Sequence, residues 1–233
     1  RVRENETVKG TGAGQAVNPW GNNQAGDYQA IFSEFGIEPI STVEPELPDI
    51  PAFIRRGIVV GHRDYHAIAR AIREGSPYYV MTGFMPSGHP HLGHLMVMKE
   101  VVWHVRHGGT GYIAIADREA HAVRGTSWEK CREYGEEYLR CLRALGYEGT
   151  TWYQSENHPL HALAFEASTK VNFSELSAIY GFGPETSLSH AESVITQVAD
   201  ILYPQVDRGP APTVVPVGID QDPHLRLTRG IAH

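Results

Sequence analysis

Between residues 81 and 95 the chain reads MTGFMPSGHPHLGHL, with glycines at 83, 88 and 93 and histidines at 89, 91 and 94. An apolar run, Tyr78-Tyr79-Val80-Met81, leads into it, and a helix-like segment follows. Small residues and imidazoles at a strand-to-helix transition suit the cradling of an anion. The first turn of a helix carries unpaired backbone N–H groups and the positive end of the dipole, and both favour negative charge. Gly83 allows backbone approach just after the strand, Pro86-Ser87-Gly88 forms a turn, and His91-Leu92-Gly93-His94 fills the helix's first turn. Gly93 keeps that surface free of a side chain, so a flat base or ribose can pack close. His91 and His94, three apart on one helix face, can donate hydrogen bonds to phosphate oxygens. The stretch reads as a cradle for a nucleoside triphosphate.

Two blander readings compete. His89, His91 and His94 could bind zinc, but H-x-x-H at a helix start without a nearby cysteine or Glu partner is a weak metal pattern. The glycines could be turn punctuation alone. Neither G-x-x-x-x-G-K-[ST] nor G-x-G-x-x-G is present, so the stretch is not a Walker loop or a dinucleotide fingerprint.

Three further groups could do chemistry. Gly218, Asp220 and Gln221 follow the apolar run Thr213–Val217; the glycine permits close approach, and Asp220 can accept from hydroxyls or an ammonium unless it only caps a helix. Glu119, in Ala-Asp-Arg-Glu, follows another strand and could be no more than a solvated loop carboxylate. Gln197 and Asp200, three apart, share one helix face.

Positioning these residues falls to an alternation of strands and helices that begins at Tyr78. The pattern predicts strand 78–82, helix 91–107, strand 111–116, helix 127–145, strand 150–154, helices near 159–170, 173–180 and 190–202, strand 213–217 and helix 222–232. In 127–145, Trp128, Cys131, Tyr134, Tyr138, Leu142 and Leu145 recur at three- and four-residue spacing, the mark of one buried stripe. Such alternation implies an α/β domain, a Rossmann-like parallel sheet with helices on both faces over 78–233, whose ligands lie beyond the carboxyl ends of the strands. Residues 1–77 read as an N-terminal extension: a short helix over 27–35, prolines at 39, 45, 48 and 51 that suggest an extended linker between 38 and 51, and a helix over 63–74.

The 233 residues suffice for one large domain, or one domain and a smaller one. At 41% hydrophobic and 20% charged, the composition is that of a soluble globular chain, and no apolar run approaches a membrane span. The start, RVRENETVKG, has no apolar core of the secretory type, and two cysteines about 15 Å apart along one helix imply reduced thiols and a cytoplasmic setting. A net charge of −7 argues weakly against non-specific nucleic-acid binding and leaves an RNA partner undecided.

PSGHPHLGHL resembles the HIGH signature of class I aminoacyl-tRNA synthetases, with HLGH at 91–94. Thr82-Gly83 and Pro86-Ser87 precede it as in the tryptophanyl branch, PVGIDQDPHLRLTRGIA (216–232) resembles that branch's second block, and FIRRGIVVGHRDYHAI (53–68) its archaeal and eukaryotic N-terminal element. The resemblance implies an enzyme that activates L-tryptophan with ATP, Mg²⁺ accompanying the nucleotide, and transfers it to tRNA(Trp), working as a homodimer. It implies catalytic roles for His91 and His94 and ATP contacts at Gly83, Pro86, Ser87, His91, Gly93, His94, Gly218 and Asp220. Tryptophan contacts would fall on Met81, Glu119, Gln197, Asp200 and Gln221, with Glu119, Gln197 or Asp200 meeting the indole N–H.

The sequence also departs from the family. Met81 and Ala114 stand where eukaryotic relatives carry a pocket tyrosine and glutamine, Phe84 replaces a basic residue and Gly230 an aspartate, which suggests an archaeal-type variant. No Lys-Met-Ser-Lys-Ser-like loop or anticodon-binding domain appears before His233, so this stretch alone is expected to bind tryptophan or ATP weakly and to adenylate slowly or not at all. Two rival functions remain: a tyrosyl-tRNA synthetase, which shares the Gln-x-x-Asp pair, and a synthetase-like paralogue that binds ligand or RNA without aminoacylating.

Overall fold

The computed structural model describes Phe32 and residues 36–232. The helix expected over 27–35 lies outside the described residues apart from Phe32, which is helical. Strand β1 (Glu38–Pro39) pairs antiparallel with β2 (Gly61–His62); α1 (Ala52–Arg55) lies between them and α2 (His66–Glu74) follows. The prolines do prevent a long helix, but the stretch from 38 to 51 packs rather than extends. Two 3-10 turns, Ile40–Thr42 and Glu44–Glu46, set Ile40, Val43 and Leu47 into one apolar cluster with Phe53, Tyr65, Ile68 and Tyr78. Helix α2 starts later than expected because Asp64 adopts a left-handed conformation, φ 57°, which a helix cannot contain.

From there the chain alternates: β3 (Tyr79–Phe84), α3 (Leu92–Arg106), β4 (Thr110–Ile115), α4 (Asp117–Arg124), α5 (Trp128–Ala144), β5 (Thr150–Tyr153), α6 (His158–Ser168), α7 (Phe173–Tyr180), α8 (Leu188–Arg208), β6 (Thr213–Val214) and α9 (Asp222–Ile231). The four strands from β3 onward form one parallel sheet in the order β5-β4-β3-β6, so the class is α/β as expected. Strand β3 runs two residues past its expected end, which puts Gly83 inside it, opposite Ala114. Strand β6 stops after two residues. Pro216 has no N–H to continue a ladder, but Thr82 Oγ1 donates to its carbonyl at 2.9 Å and keeps the segment beside β3.

Side-chain alternation along the strands sorts residues between the two faces. Val80, Phe84, Ile113 and Ile115 pack on Met98 and Val101 of α3 and on Tyr138 and Leu142 of α5. Of the stripe expected on α5, Cys131, Tyr138 and Leu142 are buried, whereas Trp128 is half exposed and Gly135 and Leu139 complete the inner face. Tyr79, Met81, Tyr112 and Ala114 point to the opposite side, towards Trp152 and Tyr203 of α8. The chain steps from β3 through β4 to β5 and then returns to β6 on the other flank of β3. That reversal opens a mouth beyond the carboxyl ends of β3 and β6.

Candidate active site

Helix α3 starts at one edge of this mouth, and its start is built by its own histidines. His91 is the N-cap; its Nδ1 accepts from the Gly93 N–H at 3.2 Å, and His94 Nδ1 accepts from the His91 N–H at 3.2 Å. Each ring therefore carries its remaining proton on Nε2. The rings stack with centroids 3.8 Å apart, an arrangement that two imidazolium ions would resist. Burial, followed by the proximity of His91, pushes the His94 pKa down to about 4. A Cβ at Gly93 would stand 3.1 Å from the His91 ring, so the glycine lets that ring fold over the helix start. His89 takes a separate partner, with Nδ1 2.8 Å from Glu137 Oε2.

Deeper in the mouth lies a cavity of about 210 Å³. Its wall includes all five expected tryptophan contacts: Met81 from β3, Glu119 from α4, Gln197 and Asp200 from α8, and Gln221 just before α9. Of the expected ATP contacts, Gly83, His94 and Gly218 line it; Pro86, Ser87, His91, Gly93 and Asp220 stand outside its wall. Apart from its chain neighbours, no protein atom lies closer than 3.7 Å to where a Gly83 Cβ would be, so the protein itself leaves room for a side chain there. Glu119 sits on a helix rather than in a loop. Gln197 Nε2 donates to Gln221 Oε1 at 3.2 Å, and Gln221 Nε2 to Asp220 Oδ2 at 2.9 Å, which links α8 to the turn before α9.

Asp200 is fully enclosed. Its Oδ1 accepts from the Trp152 indole N–H at 3.0 Å and its Oδ2 from the Gln154 amide at 2.6 Å. Burial pushes its pKa up to about 7 despite those bonds, and the nearby Glu119 and Asp117 carboxylates add to the rise. The native state thus keeps a proton that the unfolded chain releases, so this group's contribution is present at low pH and is lost as pH rises towards 7. Asp200→Asn removes that slope. Its stability deficit relative to the wild type should shrink by about 2–3 kcal/mol between pH 5 and pH 8 in urea titrations.

The family described as tRNA synthetases class I (W and Y) matches residues 73–233. The chain belongs to this family. It is 57% identical over 221 residues to the tryptophan–tRNA ligase of Methanosarcina acetivorans, covering 93% of this chain and 51% of that relative. It is 50% identical over 220 residues to tryptophan–tRNA ligase 1 of Halobacterium salinarum, covering 93% and 43%. The chain spans about half the length of these curated relatives. The crystal structure of the Aeropyrum pernix tryptophanyl-tRNA synthetase superposes with a TM-score of 0.80 at 38% identity, covering 93% of this chain and 61% of that one. The tryptophan-bound Encephalitozoon cuniculi enzyme superposes at 0.78 with 26% identity, covering 89% and 62%.

In this class I synthetase fold the sequence reading missed Gln154 and Trp152 on the cavity side of β5. Gln154 directly follows β5, the position that the carboxyl-end rule singles out, and applying the rule to this strand as to its neighbours would have found it. Asp117, at the start of α4, was also passed over. Its Oδ1 accepts from the Ser155 N–H at 3.0 Å and pins the end of β5 to α4. Among the described residues no helix is long and apolar enough to cross a membrane.

Proposed function

We propose that this chain is the activating part of a tryptophan–tRNA ligase. A carboxylate oxygen of L-tryptophan attacks the α-phosphorus of ATP, the bond from that phosphorus to the pyrophosphate oxygen breaks, and pyrophosphate leaves with its electron pair. The aminoacyl group then passes to tRNA(Trp). The observation that carries this reading is the convergence of Met81, Glu119, Gln197, Asp200 and Gln221 on one cavity beside the imidazole-capped start of α3. The cavity takes the amino acid, and the triphosphate lies along the α3 start, where the Nε2–H groups of His91 and His94 donate to phosphate oxygens. In-line transfer at phosphorus needs positioned donors more than a protein base. Gly93, Pro86, Ser87 and Asp220 border the nucleotide, and Mg²⁺ arrives with ATP, held mainly by its phosphates.

The tryptophanyl relatives support tryptophan over tyrosine. A cytoplasmic homodimer, with α3 in the interface, fits the same reading. Pyrophosphate exchange tests it: ATP should become labelled with L-tryptophan present and not with L-tyrosine. Exchange supported by tyrosine alone overturns the choice.

A further inference from the structure

An indole N–H can only donate, so the cavity must offer it an acceptor. The wall presents several, Glu119 among them, and the bonds of Asp200, of the Gln197–Gln221 pair and of Gln154 set these apart. Asp200 has one oxygen on Trp152 and the other on Gln154, and it is 3% exposed. Gln197 and Gln221 are joined to each other through their amides. Gln154 differs: it is 1% exposed, its Nε2 is bound to Asp200, and its Oε1 is buried with no hydrogen-bond partner in the protein. A buried carbonyl without a donor is costly, and an incoming N–H removes that cost.

We propose that Gln154 Oε1 accepts the indole N–H of the substrate, with Asp200 as the positioning residue that holds the other end of the amide. The inference rests on the tryptophan reading above and refines it. Above about pH 7 Asp200 is ionised and can only accept, and it already receives one indole N–H from Trp152. It therefore requires the NH₂ end of Gln154, which turns the oxygen the other way. The Gln154 backbone is held on both sides: its N–H donates to the Ile115 carbonyl at 3.1 Å, and its carbonyl contacts His161 Nε2 at 2.8 Å. With the backbone anchored and Nε2 bound to Asp200, the Gln154 amide is placed before any ligand enters, which favours discrimination by a single hydrogen bond.

The test compares L-tryptophan with 3-benzothienyl-L-alanine, in which sulfur replaces the N–H in a ring of nearly the same shape. Calorimetry on the wild-type protein at about pH 8.5, where Asp200 is ionised, should show tryptophan bound about 10- to 100-fold more tightly, the range for a buried donor–acceptor pair. Gln154→Met keeps the bulk and removes the acceptor; its preference should fall to within about threefold, mainly through weaker tryptophan binding. Gln154→Asn withdraws the carbonyl by one methylene and keeps an amide near Asp200; it gives the same collapse and serves if the methionine variant does not fold. A preference that survives in the folded variant assigns the N–H to another acceptor and overturns the proposal. So does wild-type protein that binds tryptophan without preferring it to the analogue. Failure to bind tryptophan while binding tyrosine overturns the tryptophan reading itself.

Discussion

His94→Ala should slow tryptophan-dependent pyrophosphate exchange by about 10²- to 10³-fold, the cost of removing one positioned donor from a transition state that gathers charge. The expectation follows from the tautomer. Because Nδ1 of each histidine accepts a backbone N–H, both imidazoles keep an Nε2–H at the β3–α3 turn, that of His94 beside the Tyr138 hydroxyl at 3.4 Å. Such a donor needs no reorganisation when negative charge builds on the phosphate oxygens. Tryptophan affinity should change less than about twofold, since the loss lies in the transition state rather than in substrate binding. With its pKa near 4, His94 is a neutral donor throughout the working range, so the wild-type rate should show no titration attributable to it between pH 6 and 8. The substitution also removes an N-terminal cap, at about 1 kcal/mol, so a thermal melt must accompany the kinetics. A loss below fivefold with the fold intact would remove His94 from the chemistry.

The reach of the sequence can be judged from the same residues. The HLGH start was legible because its signals are local: glycine, proline and histidine within fifteen positions of a strand end. The five expected amino-acid contacts come from the family resemblance, and the carboxyl-end rule explains why they line one cavity; alternation along β3 sets only the side to which Met81 points. What the sequence hid is carried by contacts across long separations. Gln154 and Asp200 stand 46 positions apart, and nothing near either one marks the pair. Helix α4 was hidden differently: it begins at Asp117, directly after β4, with Ala116 as an N-cap that makes no side-chain bond, so the usual start signal is missing. The packed stretch from 38 to 51 looked extended because prolines report what a backbone cannot be, while burial of Ile40, Val43 and Leu47 decides what it is.

The second large effect joins two segments that the sequence shows only as separate motifs. Arg63 and Asp64 are cross-linked to both ends of α9 by ion pairs: Arg63 to Asp222 in its first turn at 2.8 Å and Asp64 to Arg229 in its last turn at 2.5 Å. Asp222 is nearly enclosed, its side chain 8% exposed, and its second oxygen lies 3.0 Å from Arg226. Asp222→Ala removes one partner of a desolvated pair and leaves the Arg63 guanidinium in a site made for its complement. Its expected cost is about 3–5 kcal/mol, or about 10 °C in melting temperature for a chain of this size. Tryptophan binding should weaken as well, because Gln221 is the residue immediately before α9 and Asp222 is the first residue of that helix. The charge logic can be separated from simple loss of contact. If the penalty comes from a stranded charge, Arg63→Met combined with Asp222→Leu should recover most of the stability lost by Asp222→Ala alone, since an apolar pair needs no counter-ion. If the double variant is no more stable than the single one, the ion pair matters for its geometry. An Asp222→Ala protein within about 1 kcal/mol of wild type would mean that the N-terminal segment is held to α9 by other contacts.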